Sequence, residues 1–181
     1  RIAHNESDFT FVASHTYRFE TTQEGWETVT GTFERSATGG SNGTSAPMTS
    51  SELLDNQCDI IRSPLIILSD TSTLQMRLRY DIEPQSSGQY WDRANVSIRD
   101  SATGARTVLV PSSGRPYQVP DGAGNGVCQT TGQAGWDAAT PSFPLLWYSS
   151  TWNVDAFNPG GQFTDQLVQV QVNYGTDELE N

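Results

Sequence analysis

The stretch Ser72–Ile98, STLQMRLRYDIEPQSSGQYWDRANVSI, decides the fold of this chain. In its first half, apolar side chains occupy every second position of Leu74–Ile82, and polar or charged side chains lie between them. A period of two predicts a long β-strand with one buried face and one charged face in solvent. A turn cluster of Pro, Ser and Gly follows at residues 84–88, and the alternation resumes over Ala94–Ile98 as a second strand.

The rest of the chain carries similar short β patterns separated by turn residues. Further strands are predicted at Tyr17–Glu20, Trp26–Arg35, Ile60–Leu68, Arg106–Val110, Thr151–Val154 and Gln166–Tyr174. No window shows the periodicity of an amphipathic helix. These patterns predict an all-β fold, an antiparallel β-sandwich whose simplest form is a jelly roll. Residues 17–181 are expected to form this module, and residues 1–16 a linker or an extra edge strand.

The charge of the chain argues against nucleic acid as a partner. The 181 residues carry a formal net charge of −11, and all 10 basic residues are Arg. Such an acidic chain repels nucleic acid phosphates and anionic membrane surfaces. The acidity suits divalent cations or a saline environment, and the simplest interpretation is that it keeps the protein soluble.

The sequence predicts a processed piece of a longer polypeptide. No apolar run is long enough to span a membrane, and no signal-peptide pattern is present. The chain begins at Arg1 rather than Met, and we expect it to be a mature or excised piece of a longer polypeptide. Asn-x-Ser/Thr sequons begin at Asn5, Asn42 and Asn95, and a glycan on Asn95 would need an exposed face of the second strand.

The two cysteines point to an oxidising compartment. Cys58 and Cys128 lie in two long irregular segments, Ser36–Asp59 and Pro111–Pro144. They fit one disulfide, and two free buried cysteines are the alternative. A bridge between them would close a loop of about 70 residues and add roughly 4 kcal/mol in the chain-entropy model.

Acidic residues near the predicted strand ends are candidate cation ligands. Glu20 ends the first predicted strand, Asp92 follows two aromatic residues, and Asp177 follows the last strand. The first and last strands of a jelly roll lie side by side, so Glu20 and Asp177 are expected to approach each other. Calcium takes six to eight oxygen ligands, and carboxylates from separate segments supply them. The alternative is that these are ordinary surface acids.

Two sets of residues are candidates for binding a ligand. The first is the charged face of the long strand, with Arg77, Arg79 and Asp81. The second is a set of aromatic residues in or beside loops, whose faces suit stacking against sugar rings. This aromatic set comprises Trp91, Trp136, Trp147, Tyr148 and Trp152. The alternative for the aromatic residues is that they fill the ends of the hydrophobic core.

The sequence offers little for catalysis. It contains neither the HExxH zinc motif nor the GxSxG nucleophile motif, and its only histidines are His4 and His15. A pair of carboxylates suffices for a glycosidase, and Asp81 and Glu83 share one strand face. A solvated face balanced by arginines is the simpler interpretation of that pair.

Several motifs together resemble a known family. They are FETTQEGWETVTGTFER from Phe19, Ser63-Pro64, YWDRANVSIRD from Tyr90, QAGWD from Gln133 and GGQFTDQLVQVQVNYGTDE from Gly160. In this order they resemble the MAM-like (meprin/A5/mu-type) jelly-roll modules of bacterial secreted proteases of the immune-inhibitor-A type. The resemblance covers residues 17–181.

The resemblance implies a non-catalytic β-sandwich with a structural calcium ion. Glu20, Asp92 and Asp177 occupy the positions that match its ligands. Family modules continue into a further strand carrying an Asp, so we expect the closing strand to be missing here or replaced by another strand, such as the N-terminal segment. The cysteine pair does not map onto the family.

We therefore expect an extracellular accessory module of a larger secreted protein, associated with the other domains of its parent chain. Its expected ligand is a glycan or an extracellular protein. One alternative is a jelly-roll glycan-active enzyme that uses Asp81 and Glu83. Another is an assembly subunit completed by a partner's strand, which would leave an unpaired edge next to Gln166–Tyr174.

Overall fold

The computed structural model describes residues 14–37, 39–41, 47–50, 56–80, 82, 90–123, 128–137 and 146–176. Within these residues the chain forms antiparallel strands and one short α-helix. They are β1 (Glu27–Thr30), β2 (Glu34–Arg35), β3 (Met48–Thr49), β4 (Cys58–Arg62), β5 (Ile66–Ile67), β6 (Leu74–Leu78), β7 (Arg93–Asp100), β8 (Arg106–Val108), β9 (Tyr148–Trp152), β10 (Leu167–Gly175) and α1 (Val154–Phe157). The prediction is confirmed at the coarser level of a mostly β fold with antiparallel sheets.

The largest sheet is built around β10. Its strand order is β1-β4-β10-β7-β8, and β5 pairs with the beginning of β10. β10 pairs with β7 from Val168↔Asp100 to Gly175↔Arg93, and its other edge pairs with β4 and β5. The last predicted strand is therefore confirmed, and it lies inside the sheet with neighbours on both sides.

A two-stranded ribbon of β6 and β9 packs on one face of this sheet. The apolar side chains of β6, including Met76 and Leu78, pack against a core formed by Val96, Ile98 and Val170. Trp152 of β9 is completely buried in the same core. Burial of these large side chains supplies most of the driving force for folding, at about 1.5–3 kcal/mol for each aliphatic side chain. The alternation is confirmed over Leu74–Leu78, and the strand ends there, short of the predicted Ile82.

The two strands of Ser72–Ile98 belong to different sheets. β6 pairs with β9, from Leu74↔Trp152 to Leu78↔Tyr148, whereas β7 pairs with β10 and β8. The stretch therefore connects the two layers of the structure.

The predicted strand at Tyr17–Glu20 is wrong, because this segment forms no strand and is held as a loop by Glu24. The Glu24 carboxylate accepts hydrogen bonds from the backbone N–H groups of Arg18 at 2.9 Å and Phe19 at 3.0 Å. Phe19 itself has φ 56°, which is incompatible with a strand. The first strand of the described residues is instead β1, and β4 separates it from β10.

The predicted strand at Ile60–Leu68 is divided in two. β4 ends at Arg62 and β5 begins at Ile66, with Ser63 and Pro64 between them. Proline cannot donate a hydrogen bond to the sheet, so the pairing is interrupted there. The apolar sequence of β5 predicts a strand that is covered on both sides. Ile67 is 48 % exposed, however, so one side of β5 faces solvent.

The other face of the large sheet is polar and buried. Asn95, Ser97, Gln171 and Asn173 point to this side, and each is at most 1 % exposed. Asn173 donates from Nδ2 to Asn95 Oδ1 at 2.9 Å and to Ser97 Oγ at 3.0 Å. Buried amides need such partners, because an unpaired buried polar group is costly. Since Asn95 is enclosed, its sequon offers no acceptor for a glycan in the folded chain.

The segment 128–137 contacts this polar face. Asn95 donates to the carbonyl of Ala134 at 3.1 Å, and Arg93 donates to the carbonyls of Thr130 and Gln133 at 2.9 and 2.7 Å. The disulfide between Cys58 and Cys128 ties the start of the segment to β4, which confirms the predicted pairing.

Candidate functional site

The exposed face of the β6–β9 ribbon carries the predicted arginines. Arg77 pairs in register with Ser149, and Leu78 with Tyr148, so Arg79 and Trp147 come next in the register. The Arg79 guanidinium carbon lies 5.4 Å from the centroid of the Trp147 ring. This is a cation–π contact, which holds the guanidinium over the aromatic face.

Arg79 makes no ion pair or hydrogen bond with any residue that the structure describes. Its guanidinium is exposed, with donors oriented by the Trp147 ring. A guanidinium has five N–H donors in a planar fork that matches a carboxylate, sulfate or phosphate. The arrangement suits recognition of an anion by paired hydrogen bonds.

The two strands below this contact carry no acidic residue. β6 reads LQMRL and β9 reads YSSTW, so the outward face consists of arginine, amide and hydroxyl groups with Trp147 at its end. Among the described residues of this ribbon and its end, Arg77 and Arg79 are the only charged side chains. Charge complementarity therefore favours an anionic ligand here over a cationic one.

The remaining predicted ligand residues lie elsewhere or outside the described residues. Trp136 is 3 % exposed, its ring contacts Tyr117 and Trp152, and its Nε1 donates to the Arg115 carbonyl at 3.1 Å. It is a core residue, as the alternative for the aromatic set states, and it presents no face to a ligand. Trp91 is half-buried, and Asp81 lies outside the described residues.

The predicted cation ligands are only partly described. Glu20 is exposed and forms an ion pair with Arg18 at 3.9 Å, while Asp92 is 8 % exposed. Asp177 lies outside the described residues. Among the residues that the structure does describe, no three Asp, Glu, His or Cys side chains converge as a metal site. The calcium site at Glu20, Asp92 and Asp177 stays a prediction.

One of the two alternative functions depends on residues outside the described part of the chain, and the other depends on a sheet edge that the structure describes. Asp81 and Glu83, the carboxylates of the enzyme hypothesis, lie outside the described residues. The assembly hypothesis expects an unpaired edge next to the last strand, but β10 is paired on both sides. No helix in the described part of the chain has the length and apolarity required to cross a membrane.

The structure also contains a polar site that the sequence did not reveal. Asp59 on β4 is completely buried, and its carboxylate accepts hydrogen bonds from the N–H of Thr32 at 3.0 Å and from Thr32 Oγ1 at 2.8 Å. Ser50 Oγ and Gln57 Nε2 also donate to it. The sequence does place an acid, Asp59, among Cys58, Ile60 and Ile61 in an apolar strand, which indicates a buried carboxylate. It does not show the partners of that carboxylate, because they lie in separate irregular segments.

Comparisons of the chain with protein-family models, with curated proteins and with solved structures find no match.

Proposed function

We propose that this chain is a non-catalytic accessory module of a larger secreted protein and that it recognises an acidic glycan. The supporting observation is Arg79, held over Trp147 on an exposed sheet face without an acidic partner among the described residues. Glycans bearing uronic acid or sulfate groups supply the anion that this guanidinium suits. An acidic protein surface is the competing ligand.

The disulfide supports the extracellular part of this proposal. Disulfides persist in oxidising compartments and are rare in the cytosol. Cys58–Cys128 joins two segments of the folded chain, and the structure has no free cysteine among its described residues.

The jelly-roll topology and the MAM-like affiliation belong to the same proposal. They are supported by two layers of antiparallel strands that share one apolar core, and by the order of the family motifs along residues 17–181. In this proposal a structural calcium ion is held by Glu20, Asp92 and Asp177.

A binding panel tests the proposed function. The purified chain is applied to immobilised polygalacturonate, a sulfated glycosaminoglycan, a neutral cellulose and an acidic protein, at low and at moderate salt. Retention by the acidic polysaccharides, weakened by salt and absent on cellulose, supports the proposal. Retention by the acidic protein alone assigns the face to a protein partner, and turnover of a polysaccharide contradicts the non-catalytic assignment.

A further inference from the structure

Three arginines lie close together on the polar face of the large sheet. Arg99 on β7 is directly opposite Arg106 on β8, and its neighbour on the other side is Gln169 of β10. Arg62 on β4 is opposite Gln171, two residues farther along β10. Side chains opposite each other on antiparallel strands share a face, with Cβ atoms about 4.5–5.5 Å apart, and diagonal neighbours are about 7–8 Å apart. Long guanidinium side chains at these positions reach the same region of the face.

Each of the three guanidiniums contacts the amide oxygen of a glutamine. Arg106 Nη2 donates to Gln133 Oε1 at 2.9 Å, Arg62 Nε donates to Gln171 Oε1 at 3.3 Å, and Arg99 Nη1 lies 3.5 Å from Gln169 Oε1. Gln169 is itself oriented, because its Nε2 donates to the Ser63 carbonyl at 3.0 Å. A neutral amide orients a guanidinium without cancelling its charge. The contacts therefore position the arginines and leave them positive.

The charges of Arg62 and Arg99 are only partly balanced by the residues that the structure describes. The Glu27 carboxylate lies 3.5 Å from Arg62 Nη1 and is 59 % exposed. Arg99 forms no ion pair with any described residue. Burial and the nearby charge of Arg99 lower the pKa of Arg62, although Glu27 opposes this effect. Like charges directly opposite each other on neighbouring strands are destabilising, so an anion bound between Arg99 and Arg106 would relieve a repulsion built into the sheet.

These arginines lie at the end of the polar face that residues 130–134 do not enclose. Asn95 and Asn173, under that segment, are at most 1 % exposed, whereas the three arginines are half-buried. The turn between β7 and β8 passes beside Arg99 without a side chain, since a Cβ at Gly104 would lie 3.2 Å from Arg99 Nη2. Partly buried charges are screened less by salt than fully exposed ones, which strengthens their attraction for an anion.

We infer that Arg62, Arg99 and Arg106 bind a tetrahedral oxyanion, a sulfate or phosphate group. Guanidinium forks match such groups through paired hydrogen bonds. A sulfate or phosphate group presents three or four oxygens and a carboxylate only two, so the tetrahedral group better suits donors that come from three strands. The net charge of −11 does not prevent binding, because exposed charges beyond about 8–10 Å are largely screened at physiological salt. This site goes beyond the proposed function and shares no residue with the face of Arg79 and Trp147.

Titration of the chain with sodium sulfate and with sodium phosphate tests this inference. Binding is measured by calorimetry, with the ionic strength held constant by sodium chloride. The unaltered chain is expected to bind, and Arg99→Gln is expected to weaken the affinity at least about tenfold, because charge-assisted hydrogen bonds are lost. Arg18→Gln is the charge-matched control, since Arg18 is exposed in the N-terminal loop, and it is expected to stay within about twofold. Equal losses in these two variants, or no binding of either ion by the unaltered chain, overturn the inference.

Two further variants keep the result decisive. Arg79→Ala separates the two faces: sulfate binding that survives Arg79→Ala but not Arg99→Gln supports the inference, and the opposite pattern overturns it while leaving the proposed function standing. If Arg99→Gln does not fold, Arg99→Lys is compared with Arg18→Lys. A loss of affinity in Arg99→Lys alone supports recognition by the guanidinium fork, and equal affinities overturn it.

A sulfated oligosaccharide and its desulfated counterpart distinguish the sources of the oxyanion. The sulfated compound binding more tightly than sodium sulfate, with the affinity reduced by Arg99→Gln, supports the site and assigns it to a sulfated glycan. Equal affinities for the sulfated compound and for sodium sulfate, both reduced by Arg99→Gln, support the site and assign it to the free ion. Binding of the desulfated compound that Arg99→Gln weakens equally overturns the oxyanion inference.

Discussion

Cys58 and Cys128 are joined by a disulfide with their Cα atoms 5.4 Å apart, across a sequence separation of 70 residues. The bond connects the first residue of β4 to the turn that precedes residues 130–134, which contact the polar face of the sheet. We expect Cys58→Ser with Cys128→Ser to lower the free energy of unfolding by roughly 2–5 kcal/mol, because the unfolded chain loses its cross-link. Urea denaturation measures this loss.

Reduction of the unaltered chain serves as the control for this variant. It is expected to reproduce the same loss without any change of sequence. A double variant as stable as the oxidised chain would show that the segment is held by its hydrogen bonds alone.

The buried amides of the large sheet predict a strong effect of a single polar substitution. Asn173→Ala leaves Asn95 and Ser97 without the donor that bonds to both, and it removes the acceptor of Gln171 Nε2. We expect a loss of roughly 2–3 kcal/mol in the free energy of unfolding, since buried polar groups are left unsatisfied. Gln75→Ala on the exposed face of β6 is the matched control and is expected to change stability by less than about 0.5 kcal/mol. Equal effects of the two substitutions would contradict the burial of this face.

Tyr117 predicts a loss of stability at alkaline pH. Its hydroxyl donates to the Leu109 carbonyl at 2.9 Å and accepts from the Val96 N–H at 3.0 Å. Burial raises the pKa of Tyr117 above its ordinary value of 10.0, although the hydrogen bond from Val96 opposes this effect. A raised pKa in the folded state means that the contribution to stability is complete below about pH 10 and is lost as the pH rises further, because the unfolded chain ionises first.

Tyr117→Phe tests this pH dependence. The variant is expected to be less stable than the unaltered chain at pH 7, because Val96 N–H loses its acceptor, and to lose less stability between about pH 9 and 11. Unfolding midpoints measured across this range report both effects. Parallel curves for the two proteins would show that Tyr117 does not contribute to the alkaline loss.

Strand patterns with a strict period of two could be predicted from the sequence. The inward and outward faces of Leu74–Leu78 are as the alternation predicts, although β6 ends at Leu78 and not at Ile82, and β10 lies where the alternating valines place it. These assignments depend on residues adjacent in the sequence. The disulfide could also be predicted, because two cysteines in an oxidising compartment leave a single pairing.

Long-range contacts explain what the sequence did not reveal. The alternation of β10 predicts that its polar residues face solvent. In the structure, residues 130–134 cover Gln171 and Asn173, and nothing near these two residues in the sequence indicates this. Trp136 and Trp147 are both predicted to lie in or beside loops, yet the first is buried in the core and the second lies half-buried beside Arg79. Asp59 accepts hydrogen bonds from Thr32 and Ser50. Both residues lie in segments without a regular sequence pattern, so these contacts could not be predicted.

The most direct test of the proposed function is the affinity of the chain for soluble polygalacturonate, measured with Arg79→Ala, Trp147→Ala and the control Gln75→Ala. We expect Arg79→Ala to weaken binding about 10- to 100-fold, because a charge-assisted hydrogen bond to the ligand is lost. Trp147→Ala is expected to weaken binding as well, since it removes the ring that orients the guanidinium, while Gln75→Ala stays within about twofold of the unaltered chain. Arg79→Ala binding as tightly as the unaltered chain would contradict the claim that this face recognises the acidic glycan.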